Sequence, residues 1–233
     1  MNKILVISPT YNEAENIQSL IDSVLLKKDL SLLIIDDNSP DGTADIVMSN
    51  MKKNTNLHLI NREQKLGLGT AYLEGFEWFL NSDNDFCVQM DSDFSHTFED
   101  LEKLLKYRKT ADLIIGSRYV QGGSTKGWST FRRLLSKYAN ILSKTILNSD
   151  IRDLTGGFKI LSRKVIAEIL KSKPSSNGYT FQIEVNNLIE KKGFKIIEIP
   201  ITFVERELGK SKMSNKIVVE AVKYLLTNIF KKS

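Results

Sequence analysis

The chain has 233 residues, 41% of them hydrophobic and 26% charged, with a formal net charge of +5; this balance fits a soluble globular domain and excludes a disordered or fibrous chain. Its single cysteine, Cys87, excludes an internal disulfide and a cysteine-built metal site, as expected in a reducing compartment. The opening "MNKILVISPTYNE" has too short an apolar run for a secretory signal, and no stretch approaches the ~20 apolar residues that span a bilayer.

In chain order, "KILVIS" (3–8), "SLLIID" (31–36), "NLHLI" (56–60), "DFCVQMD" (85–91) and "ADLIIGS" (111–117) read as strands. Helical patterns lie between them around residues 14–27, 42–53, 69–81 and 97–108. Continuous apolar strands alternating with amphipathic helices predict an α/β fold, with a mainly parallel central sheet covered on both faces. The second half is less regular. "FRRLLSKYANILSKTIL" (131–147) carries an apolar helical stripe with basic residues opposite it. "LTGGFKILS" (154–162) predicts a glycine turn entering a strand, and "FQIEVNNLIEKKG" a helix closed by Gly193. "FKIIEIPITFV" reads as one more strand, and 215–232 as a helix with a broad apolar face. These patterns predict one main domain over 1–213 and a C-terminal amphipathic helix within 214–233, packed on it or lying at a membrane surface.

Charge is unevenly spread. Between Asp112 and Asp150 no acidic residue occurs, while Arg118, Lys126, Arg132, Arg133, Lys137 and Lys144 do. Such a stretch attracts phosphates or anionic lipid, unless it is only a solvated helix face.

Each polar cluster follows a strand: "PTYNE" the first, "DDNSPDG" the second, "DSDFSH" the fourth. In open α/β sheets the carboxyl ends of strands are where ligands bind. Asp91 and Asp93 stand two apart, so in extended backbone both carboxylates face the same side. Adjacent buried anions repel unless a cation or proton offsets them. A hard divalent ion such as Mg²⁺ or Mn²⁺ suits such oxygen ligands; the competing reading is that Asp93 or Ser95 caps the helix starting near Thr97. His96 reads as structural. Asp36 and Asp37 end the second strand, where they can reach a ribose or a base edge, while Asp41 or Thr43 can cap the helix that follows. Neither a phosphate-cradling G-x-x-x-x-G-K-[ST] nor a G-x-G-x-x-G after the first strand is present, which argues against a P-loop enzyme or an ordinary dehydrogenase.

"SPTYNEAENI", "IIDDNSPDGT", "MDSDFSH", "GSRY", "LTGGFKI", "FQIE" and "VERELGKSKMS" occur in the order and spacing of inverting family 2 glycosyltransferases. More narrowly, the chain resembles the polyprenyl-phosphate (dolichol-phosphate) mannose synthases over about residues 4–213. The resemblance implies a GT-A-type domain, a nucleotide-sugar donor such as GDP-mannose, and a polyprenyl or dolichyl phosphate acceptor. By position it implies that Pro9, Tyr11, Glu13 and Asp37 line the nucleoside pocket. It places a divalent ion on Asp91 and Asp93, with Ser95 adding to its shell. Arg118 and one of Arg132 or Arg133 would meet the acceptor phosphate, and Arg206, Lys210 and Lys212 the donor phosphates; relatives often carry an acidic residue where Lys210 stands. Asp153, Gln182 and Glu184 match further site positions of unassigned role. The expected setting is peripheral, on the cytoplasmic face of a membrane, reached directly or through an anchoring subunit. Three rivals remain at this level: a UDP-glucose-dependent glucosyltransferase, a metal-dependent nucleotidyltransferase, and a nucleic-acid-binding protein. The last is disfavoured, because no aromatic stacking motif accompanies the basic stretch.

Overall fold

The computed structural model describes residues 3–176, 178–205 and 224–225, the side chain of Tyr179 excepted. In chain order its elements are β1 (Ile4–Thr10), α1 (Ala14–Leu25), β2 (Leu30–Asp36), α2 (Thr43–Met51), β3 (Leu57–Asn61), α3 (Leu68–Leu80), β4 (Phe86–Gln89), α4 (Phe98–Lys106) and β5 (Leu113–Ser117). They continue with β6 (Ser124–Lys126), α5 (Thr130–Leu147), β7 (Lys159–Ser162), α6 (Arg163–Ser172), α7 (Gly178–Lys191), β8 (Ile196–Pro200) and β9 (Thr202–Val204).

Seven strands form one sheet in the order β3-β2-β1-β4-β7-β5-β8, and β6 pairs with β9 separately. All pairings of the large sheet are parallel except those of β7, which lies antiparallel between β4 and β5. Alternate residues of each strand serve opposite faces. Leu5, Ile7, Leu33, Ile35, Cys87 and Leu161 pack with Tyr72, Phe76 and Phe79 of α3 and Phe181 and Val185 of α7. Ile4, Val6, Leu32, Ile34, Val88 and Ile160 pack with Ile17 and Leu20 of α1, Val47 of α2 and Leu101 of α4. Each such fully buried side chain contributes about 1.5–3 kcal/mol of apolar burial, so the sheet is a rigid platform for the loops at its carboxyl edge. At Gly75 of α3 an added Cβ would lie 2.7 Å from Ile35 and 2.9 Å from Ile7, so this glycine lets helix and sheet touch.

One expectation needs correction. "FKIIEIPITFV" forms two strands in two sheets: after Pro200, the Ile201 amide donates to the Ser117 carbonyl at 3.1 Å, and β9 leaves to pair with β6. The glycine turn expected in 154–162 precedes its strand as read: residues 153–157 turn, and β7 begins at Lys159. Gly193, at φ +75°, closes α7 as expected.

Helix α5 turns its apolar stripe outward. Phe131, Leu134, Leu135, Tyr138, Ile141 and Leu142 are exposed, from 48% at Leu134 to 76% at Phe131, whereas Asn140, Ser143 and Leu147 are buried. A polar clamp fixes this orientation: Asn140 donates to the Arg152 carbonyl and accepts from the Leu154 amide at 2.9 Å. Ser129 caps the helix by accepting from the Arg132 amide. Of the C-terminal segment, Tyr224 and Leu225 are helical; Leu225 is buried in the core beside α7, where Asn187 donates to the Tyr224 hydroxyl at 3.2 Å.

Candidate active site

Three turns at the carboxyl ends of β1, β2 and β4 meet along one edge. Beyond β1, the Glu13 amide donates to Thr43 Oγ1 and the Ala14 amide to Asp41 Oδ2, both at 3.0 Å. Asp41 and Thr43 therefore bind the start of α1 across the site. The N-cap position of α2 is Gly42, and Asp41 serves that helix as well, its Oδ1 accepting from the Thr43 amide at 3.1 Å. Burial pushes the Asp41 carboxyl up, but hydrogen bonds from the Thr43 hydroxyl and the Ala14 and Thr43 amides outweigh it and hold the group below its ordinary range. Glu13 is buried and accepts from Asn16 Nδ2 at 2.9 Å. Pro9 is half-buried at the end of β1. One face of the half-buried Tyr11 ring is covered by the Lys65 ammonium, 3.6 Å from its centroid.

At the end of β2, Asp36 is fully buried and accepts from Thr10 Oγ1 at 2.8 Å and from the Ser39 amide at 2.7 Å, so it shapes the turn. Asp37 holds the next loop: Oδ1 accepts from Arg62 at 2.7 Å and Oδ2 from the Gly67 amide at 2.9 Å. Arg62 also donates to Thr70 Oγ1 at 2.7 Å and pairs with Glu74.

After β4 the chain turns sharply at Phe94, with φ +58°. Asp93 is buried and its Oδ1 accepts from the Ser95 amide at 3.0 Å, while Ser95 accepts the Val204 amide of β9 through its carbonyl. The capping alternative does not hold: Thr97 caps α4 by accepting from the Asp100 amide at 3.1 Å. His96 is buried and stacks on Phe158 at 4.6 Å, with Phe203 edge-on at 5.4 Å. Burial pushes its pKa down to about 4, so it is neutral, and its Nδ1 accepts from the Asp91 amide at 3.4 Å. It props the aspartate turn from below. Beneath that turn also lies Tyr72, whose hydroxyl is pushed well above its ordinary pKa by burial and by the charges of Asp91 and Asp93.

The residues fit a divalent ion. Asp91, half-buried, and Asp93, buried, offer hard oxygen donors just past the carboxyl end of β4, with helix capping left to Thr97. Among the described residues no group of three or more His, Cys, Asp or Glu could hold a metal.

The second half-site centres on Arg118, just past β5. Its guanidinium makes a two-pronged contact with Asp153, Nε to Oδ2 at 2.8 Å and Nη2 to Oδ1 at 2.7 Å, and also donates to Thr155 Oγ1 at 2.6 Å. Asp153 is fully buried, and its own amide donates to Glu198 at 2.8 Å. Burial pushes its carboxyl up, but the Arg118 charge and hydrogen bonds more than reverse this and hold it below its ordinary value. The role of Asp153, open in the sequence, is thus to fix Arg118. A cavity of about 530 Å³ opens beside the pair, and its basic lining is Arg118, Arg133, Lys137, Lys144 and Arg152. Of the two adjacent arginines, Arg133 lines this cavity, whereas Arg132 is paired with Glu205 and lies over the Trp128 ring at 4.4 Å. Phe203 joins the halves, since its ring lies against both His96 and Arg118.

Gln182 is buried and accepts from the Lys159 ammonium at 2.6 Å, while Glu184 turns away and accepts from the Ser176 amide at 2.9 Å. The structure does not bring those two together. Arg206, Lys210, Lys212 and most of the 215–232 helix lie outside the described residues. Sequence reasoning missed Arg62, Arg152 and Lys159. The signal for the last was a lysine inside the otherwise apolar run "FKIL".

The model of the family described as Glycosyl transferase family 2 matches residues 5–170. The chain belongs to glycosyltransferase family 2. It is 42% identical over 226 residues to polyprenol monophosphomannose synthase of Mycolicibacterium smegmatis, covering 94% of this chain and 84% of that protein. It is 40% identical over 224 residues to undecaprenyl-phosphate mannosyltransferase of Micrococcus luteus, covering 94% and 91%. Among solved structures, glucosyl-3-phosphoglycerate synthase from Mycobacterium tuberculosis with Mn²⁺, UDP and phosphoglyceric acid superposes with a TM-score of 0.68 at 18% identity, over 99% of this chain and 78% of the other. The mannosyltransferase PcManGT of Pyrobaculum calidifontis, with GDP-Man and Mn²⁺, gives 0.60 at 17%, over 99% and 63%. These structural likenesses support the expected GT-A-type architecture.

Proposed function

We propose that this family 2 enzyme transfers mannose from GDP-mannose to a polyprenyl monophosphate with inversion, giving a polyprenyl β-mannosyl phosphate. The names of both 40–42% identical relatives support the sugar and the acceptor class. The observation that carries the reading is the pairing of two half-sites of opposite charge across Phe203, the Asp91–Asp93 turn and the Arg118-lined basic cavity.

The chemistry follows from the acceptor. A phosphate monoester has a second pKa near ~6 and is already anionic at neutral pH. It needs positioning and cations, not a strong general base. Arg118, locked by Asp153, and Arg133, Lys137 and Lys144 would hold the phosphate and offset its charge as it approaches an anionic donor. Asp91 and Asp93 would hold Mg²⁺ or Mn²⁺, and in-line attack at the anomeric carbon of an α-linked donor inverts it. When bound, the ion supplies Lewis-acid stabilisation of the departing nucleoside diphosphate. Pro9, Tyr11 and Glu13 would line the nucleoside pocket. Asp37 would act there mainly by fixing the 62–67 loop.

Incubation with each radiolabelled nucleotide sugar and a short polyprenyl phosphate tests the reading. Label should reach the lipid from GDP-mannose; label from UDP-glucose alone would contradict the donor assignment.

The exposed stripe of α5 beside the basic cavity supports peripheral attachment at the cytoplasmic face of a membrane, where the acceptor resides. No helix among the described residues is long and apolar enough to cross a membrane. The protein should co-sediment with anionic vesicles, and changing Phe131, Leu134 and Tyr138 together to Ser should abolish this. Equal sedimentation of the triple variant would contradict the assignment of α5.

A further inference from the structure

Strand β7 opens with a residue that its surroundings disfavour. Lys159 is fully buried. It pairs in register with Gln89 of β4 and Ile115 of β5, and its sheet face is that of Leu161, covered by α3 and α7. Its ammonium donates to Gln182 Oε1 at 2.6 Å. Three more buried polar side chains belong to the same layer: Gln89 on β4, Tyr72 on α3 and Thr180 on α7. The side-chain N and O atoms of all three lack a hydrogen-bond partner within the protein. Desolvation drives the Lys159 pKa down to about 7, with Asp153 opposing the fall. An ammonium in this setting is costly, and a position that only had to fill space would be served better by leucine or methionine.

Gln182 connects this lysine to the site. A Cβ placed on Gly157 would lie 3.5 Å from Gln182 Nε2, so the amide nitrogen sits directly under the glycine turn. The same turn carries Asp153 and Thr155, the two partners of Arg118. A carboxamide presents nearly the same shape in either of two orientations, and only its partners choose between them. As an ammonium, lysine can only donate. Lys159 therefore fixes Oε1 inward and Nε2 toward the turn.

We propose that Lys159 is a positioning residue for glycosyl transfer: by holding Gln182 Oε1, it directs the Gln182 amide N–H to the Gly156–Gly157 turn, at the Arg118 half-site where the reacting groups meet. The inference rests on the transfer reaction proposed above. It adds which buried residue orients the site and through which side chain.

Steady-state assays on the full chain with GDP-mannose and a short polyprenyl phosphate test it. Lys159→Met should lower kcat about tenfold, the worth of one oriented hydrogen bond. GDP affinity should stay within about twofold, since the nucleoside pocket is untouched, and the melting temperature should not fall, because the variant no longer buries an ammonium. Gln182→Leu should lose a similar factor, and the double variant should be no worse than the poorer single one, as expected when one residue acts through the other. Three outcomes would overturn the proposal: a Lys159→Met kcat within about twofold of wild type, single losses that multiply in the double variant, or a Lys159→Met protein that fails to fold. Wild-type protein that transfers from no nucleotide sugar would instead remove the transfer reading itself, so the two failures are told apart.

Discussion

Asp93→Asn is expected to lower turnover by about 10²-fold or more while leaving the melting temperature near that of wild type. Asn keeps an oxygen that can accept the Ser95 amide, which Asp93 Oδ1 now accepts at 3.0 Å, and it changes the side-chain volume little. Helix α4 keeps its Thr97 cap. What disappears is one negative charge from a pair that would otherwise hold a divalent cation against a diphosphate. Saturating GDP-mannose should not restore the rate. A variant with wild-type turnover would mean that the aspartate turn has no part in the reaction.

Asp153→Ala is expected to cost about 3–5 kcal/mol of folding stability, because it leaves the Arg118 charge buried with its main partner gone. Both members of the pair are buried, the carboxylate completely, and four hydrogen bonds converge on Arg118 from Asp153 and Thr155. Replacing both charges, as Arg118→Met with Asp153→Leu, should recover much of the stability but none of the acceptor use. Denaturant titration of the three proteins measures this; a single variant as stable as wild type would contradict the pairing. The same ion pair sets a pH response. The folded-state pKa of Asp153 lies below its ordinary 3.8, so its contribution is fully present above that value and is lost as pH falls through the lower folded value. The denaturant midpoint of the double variant should accordingly fall less steeply as pH drops below about 4 than that of wild type.

The strands of the first half were legible because parallel strands buried on both faces are written as unbroken apolar runs, as in "KILVIS" and "SLLIID". The site's edge was legible for a related reason, since polar clusters ending such runs mark the carboxyl side of the sheet. What stayed hidden depends on tertiary pairing. Strand β7 has four residues and starts with a lysine, so neither its antiparallel insertion nor the Lys159–Gln182 contact has a periodic signature. Arg118 and Asp153 stand 35 residues apart, and only the approach of the 153–157 turn to the end of β5 joins them. The turn residues Asp41 and Thr43 announced a cap; Asp41 Oδ1 does accept from the first amide of α2, but Asp41 Oδ2 and Thr43 Oγ1 accept from the neighbouring turn, a choice that local propensity does not encode. The stripe of α5 was plain in the sequence. That it faces outward was decided by Asn140, which anchors the opposite side.

Diffraction at the manganese edge from crystals grown with Mn²⁺ and GDP addresses the shared premise of these results most directly. An anomalous peak is expected within coordination distance of a carboxylate oxygen of both Asp91 and Asp93 and of the nucleotide's phosphates. Bound GDP with no such peak between those two side chains would contradict it.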